Sequence, residues 1–231
     1  NELEDTTLSI NWTRLLSDEQ SRDLLPFIKK KNTGRAQLEL DLEGFTPKIP
    51  SGLISGQNIQ LKLNSMILPF EGEKDFGNLP TPFRCVAVDL LKGEEIILKG
   101  GSLSNAVRAS MSIPTVFSPV ELDEHLLIDG GVINNFPVDV VREMGAEYII
   151  GLNLGFEQKT REDYNNLLDI LERTTDLPRK KRLQENINMC DIYIEQDVSG
   201  LSLMDFSHEN IGSAIQRGEK AAVKKVDELA E

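Results

Sequence analysis

The sequence predicts an α/β fold, a three-layer architecture whose mostly parallel central sheet is flanked by helices. Three observations point there. The apolar run His125-Leu126-Leu127-Ile128 delivers Asp129 to two glycines, Gly130 and Gly131, which is the pattern of a buried strand ending in a tight turn. A helical stretch and a second apolar strand, Glu147 to Leu154, follow at the spacing of a right-handed parallel crossover. Near the end of the chain Ile211, Ile215, Gly218, Ala222 and Val226 recur at helical intervals, giving a helix with one apolar face to lay on such a sheet. Open α/β sheets carry their chemistry outside the carboxyl ends of the strands, so Asp129 is the first candidate for a functional residue.

Bulk properties narrow the classes. A chain of 231 residues with 39% hydrophobic and 27% charged side chains suffices for one large domain, 1–231, and no composition shift marks a boundary. No apolar run reaches the roughly 18 residues of a membrane span. The net charge of −13 argues against nucleic acid and against electrostatic adhesion to anionic lipid, because both require clustered Lys and Arg. Two basic runs, Lys29-Lys30-Lys31 and Arg179-Lys180-Lys181-Arg182, read as solvated helix faces or loops. Cys85 and Cys190 stand in apolar, strand-like settings and read as buried free thiols. With His125 and His208 as the only histidines, a zinc site is not expected. The sequence starts at Asn1 without a charged and apolar leader, so no targeting peptide is expected within it.

In chain order, Ser17 and Gln20 match a capping box that opens a short helix limited by Pro26. A strand at Leu38–Leu42 precedes a turn-rich stretch through Gly52, and Gln57–Leu68, free of internal Gly and Pro, reads as helix. Phe83–Asp89 and Glu94–Leu98 flank the turn at Lys92-Gly93 and read as a hairpin at the edge of the sheet. Ser102 or Ser104 caps a helix to Met111 that carries Leu103, Ala106, Val107 and Ser110 on one stripe and stops at Pro114. After Asp129, Asn134 or Asn135 caps a helix with Pro137 in its first turn and Gly145 at its left-handed stop. Glu147–Leu154 reads as a fully buried strand. Beyond Gly155 come a helix bearing Tyr164, Leu167, Leu168 and Leu171, a basic helix over Pro178–Met189, and an alternating strand at Cys190, Ile192 and Ile194.

Taken alone, Asp129-Gly130-Gly131 is a tight turn in which the carboxylate accepts backbone amides and the glycines supply positive φ. Its surroundings say more. Asn105-Ala106-Val107-Arg108-Ala109-Ser110-Met111-Ser112-Ile113-Pro114, then Ile128–Val132, Asn134-Asn135-Phe136-Pro137-Val138 and Met144-Gly145-Ala146, resemble the C-terminal half of a patatin-like phospholipase domain. Ser51–Gly56, Phe83–Asp89 and Asp191–Ala222 resemble the same family, so the likeness covers most of the chain. It implies a patatin-like domain whose N-terminal strands are missing from this sequence. The family's chemistry is acyl-ester hydrolysis by a Ser-Asp dyad, without metal or organic cofactor. The serine of a G-x-S-x-G elbow attacks the carbonyl, the aspartate takes its proton, and a glycine-rich loop holds the oxyanion.

Only the aspartate carries over, onto Asp129, with Gly130 and Gly131 completing its motif. No serine here has glycine both two before and two after it; Gly100-Gly101-Ser102-Leu103-Ser104 comes nearest and matches the family's downstream loop. Ser55 and Ser110 read as a turn serine and a helix-packing serine. His125 lies on the same strand face as Asp129 but about 13 Å away at ~3.3 Å per residue, too far to form a triad. The expected function is therefore lipid acyl hydrolysis on a phospholipid or simpler acyl ester, with a non-catalytic binding or scaffold module of the same fold as the alternative. An acidic chain would meet a membrane through apolar contact, for which Ile49, Leu53, Ile54, Met66, Ile67, Leu68 and Phe70 are candidates. Arg108–Met111 and Asn135–Val138 look most like the bacterial branch of the family joined to an outer-membrane barrel, which implies a periplasmic or outer-membrane-associated domain.

Overall fold

The computed structural model describes residues 2–17, 41–43, 46–48, 52–154, 179–201 and 205–226. The expected helix at Ser17, most of the strand at Leu38–Leu42 and the helix around Tyr164 lie outside these residues. Described helices are α1 (Glu2–Ser9), α2 (Trp12–Leu15), α3 (Gln57–Ile67), α4 (Leu103–Ser110), α5 (Val138–Glu143), α6 (179–188) and α7 (His208–Val223). The strands are β1 (Asp41–Glu43), β2 (Thr46–Lys48), β3 (Gly52–Ile54), β4 (Cys85–Asp89), β5 (Glu94–Leu98), β6 (Thr115–Phe117), β7 (Val120–Leu122), β8 (His125–Asp129), β9 (Ile150–Leu154) and β10 (Ile192–Gln196).

The fold is α/β, but its main sheet is antiparallel, in the order β5-β4-β8-β7. Connection length explains the difference from the mostly parallel sheet read in the sequence. Residues 90–93 join β4 to β5 and residues 123–124 join β7 to β8, and turns that short serve only antiparallel neighbours. Among the described residues, parallel pairing is confined to β3 with β6 and β9 with β10. The expected crossover from β8 to β9 within one sheet is therefore not formed. Both edges of β8 are occupied, by β4 and β7, and β9 pairs with β10 instead.

Strand β4 buries Val86, Ala87 and Val88 in succession, and β5 closes the sheet's edge as the hairpin reading anticipated. Helix α4 lies on this sheet, capped by Ser102, whose hydroxyl accepts the Asn105 amide at 3.4 Å. Its Ala106 and Ala109 are wholly buried with Phe76, Ala87, Leu98 and Leu127, so the small residues let helix and sheet backbones approach closely. The buried stripe is Ser104, Ala106, Arg108 and Ala109 rather than the one read from the apolar residues, because a charged side chain takes an interior position. Burial pushes the Cys85 thiol up to about 12 against a hydrogen bond from Ser110, so Cys85 is inert at neutral pH and Ser110 is a packing serine.

A second core joins Phe136, Val138 and Ile149 to Leu183, Ile187 and Tyr193, with Phe136 and Tyr193 edge-to-face at 5.9 Å. Strand β9 alternates rather than being fully buried: Gly151 and Asn153 face this core while Ile150, Leu152 and Leu154 are exposed. Pro137, not Asn134 or Asn135, occupies the cap of α5, whereas Gly145 takes the left-handed stop at φ +92° as expected. No described helix is long and apolar enough to cross a membrane.

Candidate active site

Asp129 ends β8 opposite Ala87 of β4 and caps the turn that follows. Two backbone contacts hold it. The Gly131 amide donates to its Oδ1 at 2.6 Å, and its own amide donates to the Ser112 carbonyl at 3.0 Å. Burial raises the carboxylate's pKa, opposed by the Gly131 hydrogen bond and by the positive charge of Arg179. A half-buried aspartate with a raised pKa is a stronger base than one in water, as proton abstraction from a hydroxyl requires.

Neither glycine of the turn has positive φ, contrary to the reading of a turn that needs it. Closeness selects them instead. A Cβ on Gly130 would sit 2.3 Å from the Val86 carbonyl oxygen, and one on Gly131 would sit 2.6 Å from Asn135 Oδ1. The turn is thus pressed onto the central strand.

Ser112 belongs to a second support. Arg108, at 3% exposure, donates to Ser112 Oγ at 2.6 Å and to the Ser55 carbonyl at 2.9 Å, and its guanidinium lies 5.0 Å from the centre of the Phe117 ring. This buried cation ties the end of α4 to the loop before α3 and, through Ser112, to the back of Asp129. Ser55 contributes its carbonyl here, and its hydroxyl accepts the Gln57 amide at 3.4 Å, which makes it a turn serine.

The basic run at 179–182 is not a uniformly solvated face. Lys180 and Lys181 are exposed, but Arg179 donates to the Gly131 carbonyl. Arg182 bridges Glu95 Oε2 at 2.5 Å and Asp139 Oδ2 at 2.6 Å. Asn186, 1% exposed, donates to the Phe136 carbonyl at 2.6 Å and to Asn134 Oδ1 at 3.2 Å. Asn134 in turn donates to Glu95 Oε1 at 2.9 Å. No local pattern announced these partners, which stand 39 to 87 residues apart in sequence. A cavity of about 10 Å³ lies beside the turn, lined by Asn134, Asn153, Arg179 and Arg182 among others. It has room for about one water and none for an acyl chain.

His125 stands apart from Asp129 and bonds elsewhere, its Nδ1 lying 2.8 Å from Asp89 Oδ2. The Asp89 side chain, at the end of β4, has no solvent-exposed surface. The His125 hydrogen bond holds its pKa below the usual carboxylate range. A lowered folded value means stability that is present above Asp's ordinary pKa of about 3.9 and lost as pH falls through the folded value. The melting-temperature deficit of Asp89→Asn should therefore be full above about pH 5 and shrink on acidification below about pH 4, measured by calorimetry. A deficit independent of pH would contradict this assignment.

Of the apolar residues considered for membrane contact, Met66, Leu68 and Phe70 are exposed, while Ile54 and Ile67 are half-buried; Ile49 and the Leu53 side chain lie outside the described residues. Among the described residues no group of three His, Cys, Asp or Glu side chains is arranged to hold a metal ion.

The sequence profile of the patatin-like phospholipase family matches residues 7–142. An uncharacterized NTE family protein of Mycobacterium tuberculosis is 29% identical over 185 residues, covering 70% of this chain and 31% of the relative. Patatin-like phospholipase domain-containing protein 7 of Mus musculus is 36% identical over 110 residues, 47% of this chain and 8% of the relative. Its counterpart domain-containing protein 6 is 38% identical over 90 residues, 38% of this chain and 7% of the relative. The chain thus spans about a third or less of these relatives. The profile match takes in more than half the sequence and includes the turn at Asp129 with its supports from Arg108 and Ser112, so the chain belongs to the patatin-like phospholipase family.

Proposed function

We propose that the protein hydrolyses a lipid acyl ester, a glycerophospholipid or a simpler ester, with Asp129 as general base toward a serine nucleophile supplied by the full-length protein. The observation that carries this reading is the Asp129 carboxylate itself: half-buried, raised in pKa, and held by the Gly131 amide at 2.6 Å. An aspartate kept in place by backbone bonds from both sides costs little reorganisation when it accepts a proton. In the proposed step Asp129 takes the hydroxyl proton as the serine oxygen attacks the ester carbonyl. The protonated Asp129 then returns that proton to the leaving alcohol, and a water repeats the sequence to free the fatty acid. Exposed Met66, Leu68 and Phe70 support apolar contact with a lipid surface, in keeping with a chain too acidic for electrostatic adhesion.

A second reading, a binding or scaffold module, is favoured by one fact: no serine of this sequence stands in G-x-S-x-G. Labelling with a fluorophosphonate, which reacts with activated serines, separates the two. The full-length protein should acquire one serine adduct, found by intact mass and peptide mapping, and Asp129→Ala should lose it. Folded full-length protein that takes no adduct would leave the module reading in first place.

A further inference from the structure

We propose that Arg179 is a positioning residue for Asp129, acting through the Gly131 peptide on which the aspartate rests. The proposal depends on Asp129 being the general base. Gly131 is gripped at both polar atoms: its amide donates to Asp129, and its carbonyl accepts from Arg179. Rotation of this residue would break both bonds, so the cation fixes the direction from which the amide meets the carboxylate.

The helix that carries Arg179 is itself anchored on elements around the turn. Arg179, Arg182 and Asn186 recur at intervals of three and four, which places them on one face of α6. That face meets Gly131, the Glu95 and Asp139 carboxylates, and the Phe136 carbonyl in order. Lys180 and Lys181 point away, and Lys181 pairs with Glu185 one turn along, at 3.7 Å. Three unrelated anchors on consecutive turns leave α6 little freedom to shift along the site.

Charge adds a second consequence. From β4 Asp129 faces Ala87, from the end of α4 the Ser112 carbonyl, from its own turn the Gly131 amide with Asn135 alongside, and from α6 Arg179. Among the described residues Arg179 is the charge that bears on Asp129, and it opposes the effect of burial. A general base must be ionised at working pH and still hold a proton briefly, two demands that burial and a nearby cation meet in opposition. The family profile ends at residue 142, so α6 lies outside the match and Arg179 is argued from this chain's own contacts.

The test titrates Asp129 directly, by carbon-13 NMR of aspartate-labelled full-length protein, in the wild type and in Arg179→Gln and Arg179→Lys, with the pH dependence of ester hydrolysis followed alongside. Arg179→Gln should raise the Asp129 midpoint, move the acidic limb of kcat/KM upward with it, and lower kcat/KM about ten- to hundredfold. Arg179→Lys should return the midpoint toward the wild-type value while recovering less of the rate, since an ammonium keeps the charge without the fork. An unchanged midpoint in folded Arg179→Gln would overturn the proposal whatever the activity. A midpoint that shifts in protein with no hydrolytic activity in any variant would overturn the hydrolase reading on which it rests. Arg179→Lys also separates a loss of charge from a loss of fold should Arg179→Gln not accumulate.

Discussion

Asp129→Asn should lower kcat for ester hydrolysis by the full-length protein about 10²- to 10⁴-fold, and at neutral pH it should raise the melting temperature. The two effects share a cause. Asn keeps the shape of the side chain and an oxygen to accept the Gly131 amide, so the turn survives while the base is lost. The sign of the stability change follows from the raised pKa of Asp129. A group that binds its proton more tightly in the folded state contributes stability that is full below the ordinary value near 3.9 and lost as pH rises through the folded value. Wild-type protein at neutral pH therefore holds an ionised carboxylate where burial disfavours it, and Asn removes that cost. The melting-temperature advantage of Asp129→Asn should grow as pH rises from about 4 toward neutrality. Such an exchange of stability for function is common where a charged group is kept buried for chemistry. Steady-state hydrolysis and calorimetry across that range check both halves. Wild-type rates in Asp129→Asn, or a stability gain that does not change with pH, would contradict the assignment.

Gly130→Ala should destabilise the fold by about 3 kcal/mol or more, the upper part of the range for overpacking. The added Cβ would meet the Val86 carbonyl oxygen at 2.3 Å and its carbonyl carbon at 2.5 Å. These are backbone atoms of β4, which is hydrogen-bonded on both sides and carries the wholly buried Ala87. No flexible side chain can swing away to make room. The expected drop in melting temperature is about 6–12 °C for a chain of this size, with activity lost through displacement of Asp129, the preceding residue. An urea midpoint within experimental error of wild type would show that the turn is not pressed onto β4 as described.

Much of the local structure was legible because its causes are local. Ser102 caps α4, Gly145 stops α5, and the hairpin of β4 and β5 turns through Gly93 at φ +70°. Each follows from a side chain within a few residues of the backbone it serves. The aspartate of the candidate site was legible for the same reason: an apolar strand, an acid and two glycines are contiguous. Positive φ, the reading of the isolated turn, is not what selects its glycines, because sequence cannot distinguish a glycine selected for its own dihedral angles from one selected for what lies above it.

What the sequence by itself determined, then, is the α/β class, most helix limits, the strand that ends at Asp129 and the family to which the chain belongs. Tertiary structure decided the rest. It made the main sheet antiparallel, because β4 pairs with β8 across the long stretch between them and β7 takes the other side of β8, leaving no edge for β9. It put Arg108 inside the fold against Ser112, the Ser55 carbonyl and Phe117. It converted two arginines of an apparently solvated basic run into the grip on Gly131, Glu95 and Asp139. The physical reason lies in the long-range partners: β4 meets β8 across residues 90–124, the Ser55 carbonyl receives Arg108 from 53 residues away, and the Gly131 carbonyl receives Arg179 from 48, and such pairings leave no periodicity in the chain and become visible only when folding brings the two together.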